Sequence, residues 1–289
     1  MNGETIKDVL DLLNLEAIEV NIFRGVSPKD RSQRVFGGQV LGQALVAAYR
    51  TVEARVCHSL HAYFIRPGDP KVPILYEVDR ARDGKSFATR RVVAIQHGEQ
   101  IFNLSASFQV PETGLEHQFD MPKVKGPDGL ENEEARRKRL AHQLPEAVRQ
   151  HVTRQNPIEL RPVEDDEDLI NPKKAPPYQH VWMKVRGDMP SELAMHQCVL
   201  AYASDMTLLD TCLMPHGISW FSGRLQSASL DHAMWFHHPF RVDEWLLYAQ
   251  DSPSGAGGRG FNRGSLFTRD GRLVASVAQE GLIRVRGSN

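Results

Sequence analysis

Three side chains in the last third of the chain are polar where a folded protein would place apolar ones, and together they could hold and activate a water molecule. Gln279 falls in one alternating row with Leu273, Ala275, Val277, Ile283 and Val285, the row that faces inward if residues 272–286 form a strand. An amide in such a row is costly unless it is hydrogen-bonded. Asp205 lies at the edge of the apolar stripe of a helix expected over about 191–209, beside Cys198. Desolvation there would raise its pKa and suit it to act as a base. Asp210 lies at the opposite edge of the same stripe, and periodicity does not choose between the two. Ser229, at the start of a strand expected over 224–237, adds a hydroxyl. Each has an ordinary explanation alone: a glutamine bonded to backbone, a solvated helix flank, a strand serine. A carboxylate, a hydroxyl and an amide that converge can bind one water and aim it at an electrophile.

An internal comparison sharpens this. Tyr63-Phe64-Ile65-Arg66-Pro67 echoes Trp235-Phe236-His237-His238-Pro239 at a separation of 172, and Arg90 with Gly98 echoes Arg263 with Gly271 at 173. Nearly one offset from two stretches indicates duplication of a unit of roughly 100 residues. In the first copy the positions of Asp205, Ser229 and Gln279 are held by Ala47, Cys57 and Ala106. The polar choice is therefore not imposed by the scaffold.

The elements that must position these residues are a helix and a meander, twice. Residues 37–52 read as a helix, with Leu41, Ala44, Leu45, Ala48 and Val52 at helical spacing, and with Gly38 and Gly42 on a neighbouring stripe that would allow close approach to a sheet. Strand-like runs follow at 57–65, 73–81, 86–96 and 100–109, with His97-Gly98 as a hairpin turn. In the second unit a strand at 180–186 and the helix at 191–209 precede runs at 224–237, 243–251, 259–269 and 272–286, with Asp270-Gly271 as the hairpin signal. The fold class is α+β, each helix wrapped by an antiparallel sheet. The expected boundaries are 1–110 for the first unit, 111–178 for a proline-rich linker carrying a surface helix near 133–152, interrupted at Pro145, and 179–289 for the second unit.

Other signals exclude function classes. With 35 basic and 36 acidic residues, no net field recruits nucleic acid or an anionic membrane. Gly255-Ala256-Gly257-Gly258-Arg259-Gly260 matches a dinucleotide fingerprint literally, but it leads into a strand rather than a helix and reads as a hairpin loop. His58 and His61, three apart on a strand, should face opposite sides. His232, His237 and His238 suit packing or rim hydrogen bonds better than metal ligation. No metal site and no cofactor are implied. Cys57, Cys198 and Cys212 read as buried thiols of a reducing compartment. No apolar run is long enough to span a bilayer, and neither a signal peptide nor a peroxisomal tripeptide is evident. The cytoplasm is the expected compartment.

Several motifs in order resemble the acyl-CoA thioesterase II family: Arg34-Val35-Phe36-Gly37-Gly38-Gln39, His58 to Asp69, Tyr202-Ala203-Ser204-Asp205, Leu230 to His237, and Gln279-Glu280-Gly281. The resemblance runs from about residue 5 to 285, apart from the linker, and is strongest to the bacterial branch. It implies a double hot-dog fold, further assembly into homo-oligomers, and hydrolysis of acyl-CoA to fatty acid and CoA. It also makes Asp205 and Gln279 catalytic, which chooses Asp205 over Asp210, and puts Ser229 where the family has threonine. Arg259 and Arg263 are candidates for the CoA phosphates. The alternatives are a hot-dog enoyl-CoA hydratase, whose Asp-x-Asn-Pro-x-His motif is not found here, and a non-catalytic acyl-CoA-binding protein.

Overall fold

The structure, a computed structural model, describes residues 5–28, 33–144, 146, 149, 156–164 and 167–286. The first unit holds helix α1 (Ile6–Leu13), strands β1 (Glu16–Glu19) and β2 (Ile22–Gly25), helix α2 (Gly37–Tyr49), and strands β3 (Val56–Phe64), β4 (Ile74–Asp83), β5 (Phe87–Gln96) and β6 (Glu99–Gln109). Helix α3 (Glu133–Arg139) and a 3-10 turn (Ala141–Gln143) follow. Pro145 and most of 147–155, the rest of the expected surface helix, lie outside the described residues. The second unit holds β7 (Ile158–Pro162), β8 (Tyr178–Val185), helix α4 (Leu193–Ser204), 3-10 runs Leu208–His216 and Trp220–Ser222, then β9 (Leu225–Ser229), β10 (Asp231–Phe236), β11 (Leu246–Ala256), β12 (Arg259–Thr268) and β13 (Leu273–Val285).

All strands belong to one antiparallel sheet, ordered β1-β2-β4-β5-β6-β3-β10-β13-β12-β11-β8-β7, with β9 also on β13. The two units join where β3 pairs with β10. There His232 stands opposite Ala62 and Met234 opposite Leu60, so the seam is itself two-fold and Leu60 is the counterpart of His232. The hairpins form where the sequence predicts them. His97 and Gly98 both take positive φ, 51° and 75°, and Gly257 and Gly258 do the same at 59° and 74°, which is the geometry of a two-residue strand turn. The glycine-rich run is thus the β11–β12 hairpin.

Five expectations change. Gly38 and Gly42 face a helix, not the sheet: a Cβ on Gly38 would lie 2.2 Å from the Tyr202 carbonyl, and one on Gly42 3.1 Å from that of Cys198. The two central helices run against each other along this line. Residues 111–178 are more than a connection, since β7 pairs with β8 at the far edge of the sheet. In addition, Met121, Val124 and Leu130 pack on Trp182, Leu247 and Phe267, covering the outer sheet surface. The expected single strand 224–237 is broken at Leu230, where pairing with β13 slips by one residue between Ser229↔Gly281 and Ala233↔Ala278. The first unit has the same slip, between Cys57↔Phe108 and Ser59↔Ser107. That bulge shifts the alternation, so His58 and His61 both sit on the outer surface, bonded to Ser107 and edge-on to Trp235 respectively.

Lastly, Arg90 and Arg263 are not counterparts. Arg90 pairs with Ala106 and is buried, whereas Asn262 pairs with Gln279 and Arg263 is exposed. The Arg90 guanidinium bonds the Thr51 hydroxyl and carbonyl, the Arg82 carbonyl and Asp83. Arg90→Ala would strand the two buried acceptors of Thr51 and empty the space of a fully buried side chain. It should destabilise the fold by about 2–4 kcal/mol in urea denaturation, without changing activity per folded molecule.

Candidate active site

Three elements of the second unit and one of the first build the site. Asp205 is not within the helix: α4 ends at Ser204, and Asp205 is its C-terminal cap. The two antiparallel helices bring that cap to the start of α2, whose first N–H groups have no partner inside the helix. The Gly38 N–H bonds the Asp205 carboxylate. Glycine is required at residue 37, because a Cβ there would lie 2.7 Å from Asp205 Oδ2. From the sheet, β13 supplies Gln279, and the end of β9, at the bulge, supplies Ser229.

Gln279 Nε2 donates to Asp205 Oδ1 at 2.9 Å and to Ser229 Oγ at 2.7 Å, and Ser229 Oγ donates to Asp205 Oδ1 at 3.3 Å. The three polar residues singled out in the sequence thus come together. Gln279 is fully buried, mid-strand, and its amide is used entirely by side chains. Burial pushes the Asp205 carboxyl up to about 6, while the bonds from Gln279, Ser229 and Gly38 hold it from rising further. A carboxylate poised near neutrality and flanked by a hydroxyl is the equipment of a general base.

Asp205 and Ser229 open on a cavity of about 400 Å³ that also takes in Phe36, Gly37, Met206 and Asp210. Asp210, the other wheel candidate, accepts from the Trp220 indole and makes no bond to Gln279 or Ser229. A second cavity of about 680 Å³ shares Val35, Phe36, Arg137 and Met206 with the first and continues to Val9, Val26 and Leu160. Arg259 and Arg263 are not brought to either. Both project from the outer surface of β12, paired with Glu280 and Asp251. The placement follows from strand alternation: Gln279 and its partner Asn262 point in, so Arg263 beside Asn262 and Arg259 three residues before it point out.

One residue of the site went unrecognised in the sequence. His232 is fully buried, with Nδ1 2.8 Å from Gln279 Oε1 and Nε2 2.9 Å from Ser204 Oγ. The available signal was its counterpart, Leu60, an apolar residue like the other three.

A family model for acyl-CoA thioesterases matches residues 150–282, and one for the acyl-CoA thioesterase N-terminal domain matches 27–109. Acyl-CoA thioesterase 2 of Haemophilus influenzae is 41% identical over 98% of this chain and 99% of its own length. The chain belongs to the acyl-CoA thioesterase family. Human acyl-coenzyme A thioesterase 8 is 43% identical, covering 96% of this chain and 89% of that protein. A crystal structure of an acyl-CoA thioesterase II from Mycobacterium marinum superposes with a TM-score of 0.78 at 43% identity, over 98% of this chain and 99% of that one. A hot-dog-fold protein from Alicyclobacillus acidocaldarius, 19% identical with a TM-score of 0.73, shares the fold. The architecture is a double hot-dog.

The raised Asp205 pKa has a sign for stability. The folded chain binds this proton more tightly than the unfolded chain, so ionisation above about pH 6 opposes folding. Asp205→Asn should stabilise the protein at pH 8 by on the order of 1–3 kcal/mol. The gain should vanish by about pH 3, below the unfolded-chain carboxyl pKa near 3.9, as chemical denaturation at both pH values would show.

Proposed function

We propose that this acyl-CoA thioesterase hydrolyses fatty acyl-CoA by direct attack of a water held among Asp205, Ser229 and Gln279, with no acyl-enzyme. The observation that carries the reading is the 2.9 Å bond from Gln279 to a buried carboxylate whose pKa is raised to about 6. A water displacing the long Ser229–Asp205 contact would meet the carboxylate as acceptor and the hydroxyl and amide as guides. Its oxygen attacks the thioester carbonyl carbon as its proton passes to Asp205. The tetrahedral intermediate collapses with cleavage of the C–S bond, and the proton held by Asp205 goes to the departing CoA thiolate. At the start of α2 the Gly38 N–H is held by Asp205 and those of Gln39 and Val40 by the Phe36 carbonyl, which leaves the Gly37 N–H to meet the developing oxyanion.

The smaller cavity receives the thioester and the larger, apolar on one side, the acyl chain. Arg137, which also lines the smaller cavity, suits the anionic CoA better than Arg259 and Arg263 do. Among the described residues no helix is long and apolar enough to cross a membrane. The exposed Tyr63 and Trp235 on the outer surface of the seam support assembly into a homo-oligomer, and three buried free cysteines support a cytoplasmic location.

Thiol release from a panel of acyl-CoAs tests the reading. The wild type should release CoA, and Asp205→Asn should lower kcat by about 10²- to 10⁴-fold. In the wild type kcat/KM should fall about tenfold per pH unit below about 6, as the base is protonated. Binding without release in the wild type would favour a non-catalytic binder. An acyl-enzyme burst in rapid-quench kinetics would refute direct water attack.

A further inference from the structure

We infer that His232 is a positioning residue for this reaction: with its proton on Nδ1, it fixes the Gln279 side-chain amide in the one orientation that directs its N–H groups at Asp205 and Ser229. The inference rests on Asp205 being the base and adds a residue that touches neither substrate nor water.

An amide can be turned end for end at almost no cost in shape, so something must set its polarity. With Nε2 toward Asp205 and Ser229, Oε1 faces His232 Nδ1 at 2.8 Å, which must then be a donor. Nε2 of the ring is left as an acceptor, and the Ser204 hydroxyl, 2.9 Å away, gives it the one proton that could otherwise go to the Ala201 carbonyl at 3.0 Å. The imidazole is buried without a carboxylate partner, and burial pushes its pKa down to about 4. It therefore stays neutral, as a single fixed donor requires. The need for it arises during turnover. While Asp205 is ionised its charge alone holds the amide. Once Asp205 has accepted the water's proton, its O–H could bond a reversed Oε1, and the Nδ1–H of His232 is what opposes that reversal. Ser204 precedes Asp205 in the chain, so both ends of this hydrogen-bonded series are anchored at the end of α4.

The duplication supports the same unit independently. Ser229, His232 and Gln279 correspond by strand register to Cys57, Leu60 and Ala106, and aligning Gln197 with Gln39 sets Ser204 and Asp205 against Val46 and Ala47. The cross-strand pair His232–Gln279 has become Leu60–Ala106, although the bulge beside it is present in both copies. At the first-unit location Tyr49 and Gln197 bond each other and the backbone of Cys57 instead. A histidine kept only to fill the scaffold would not need to disappear together with the catalytic trio.

The test uses the whole protein. His232→Leu, which installs the residue of the first copy, should lower kcat about 10- to 100-fold with KM changed less than about threefold. It should also raise the pKa of the acid limb, because Asp205 loses a held donor. His232→Asn, which returns an N–H near the place of Nδ1, should recover most of the rate. Nitrogen-15 shifts of histidine-labelled wild type, with the resonance assigned by its loss in a variant, should show Nδ1 protonated, Nε2 bare and no titration down to pH 5. Unchanged kcat and pH profile in a folded Leu variant, or a protonated Nε2 in the wild type, would overturn the inference. The wild-type spectrum decides even if the Leu variant does not fold. An active Asp205→Asn protein would instead refute the catalytic reading itself, a separate failure.

Discussion

The site depends on one close approach, that of the start of α2 to the end of α4. It is possible because residues 37, 38 and 42 lack side chains: any Cβ there would meet the Asp205 carboxylate, the Tyr202 carbonyl or the Cys198 carbonyl. The approach spans the two units, so the first contributes a helix N-terminus and the second a carboxylate. The partial positive charge of the one meets the negative charge of the other. Neither unit alone would hold a buried carboxylate near neutrality. Removing it from water raises its pKa, and the donors of α2 and β13 limit the rise.

The sheet provides the second half of the geometry. Joining β3 to β10 makes the strand ladder continuous, so the register that places Ser59 and Leu60 in the first unit also places the polar residues in the second. The bulge beside Ser229 turns the start of the strand toward the helices, and its twin at Cys57 shows that the turn belongs to the scaffold. Chemistry was then a matter of side chains at prepared positions. The other location closed with Tyr49, whose ring packs edge-on against Phe108 at 5.0 Å between centroids.

Much of this was legible in the sequence where local rules decide. The hairpins at 97–98, 257–258 and 270–271 are written in residues that tolerate positive φ. Gln279 announced itself by breaking an apolar row. What could not be read depends on partners distant in sequence. Alternation put His58 and His61 on opposite sides, and one repeat offset equated Arg90 with Arg263; a bulge and a one-residue difference in register undo both. A glycine stripe tells that something approaches, not whether it is helix or sheet. The edge strand β7 is too short for its pattern to stand out of a proline-rich stretch. His232 looked like a packing residue, because a buried ring and a ring that orients an amide have the same pattern along the chain.

The choice between the two aspartates shows what decides where charge resides. Asp205 and Asp210 line one cavity, and burial raises both, Asp205 to about 6 and Asp210 to about 7. The helical wheel ranked them alike because it registers only distance from the apolar stripe. The difference lies in the donors. Asp205 is met by an amide, a hydroxyl and a backbone N–H, and Asp210 by the Trp220 indole, with the Glu133 and Asp205 charges raising it and that of Arg137 lowering it. Two like charges in one pocket repel, and the arrangement lets the less supported group keep its proton as the better supported one ionises. At neutral pH the cavity then carries its charge mainly where a water could be activated. Burial makes both groups basic enough, and the number of donors selects which of them is free to act.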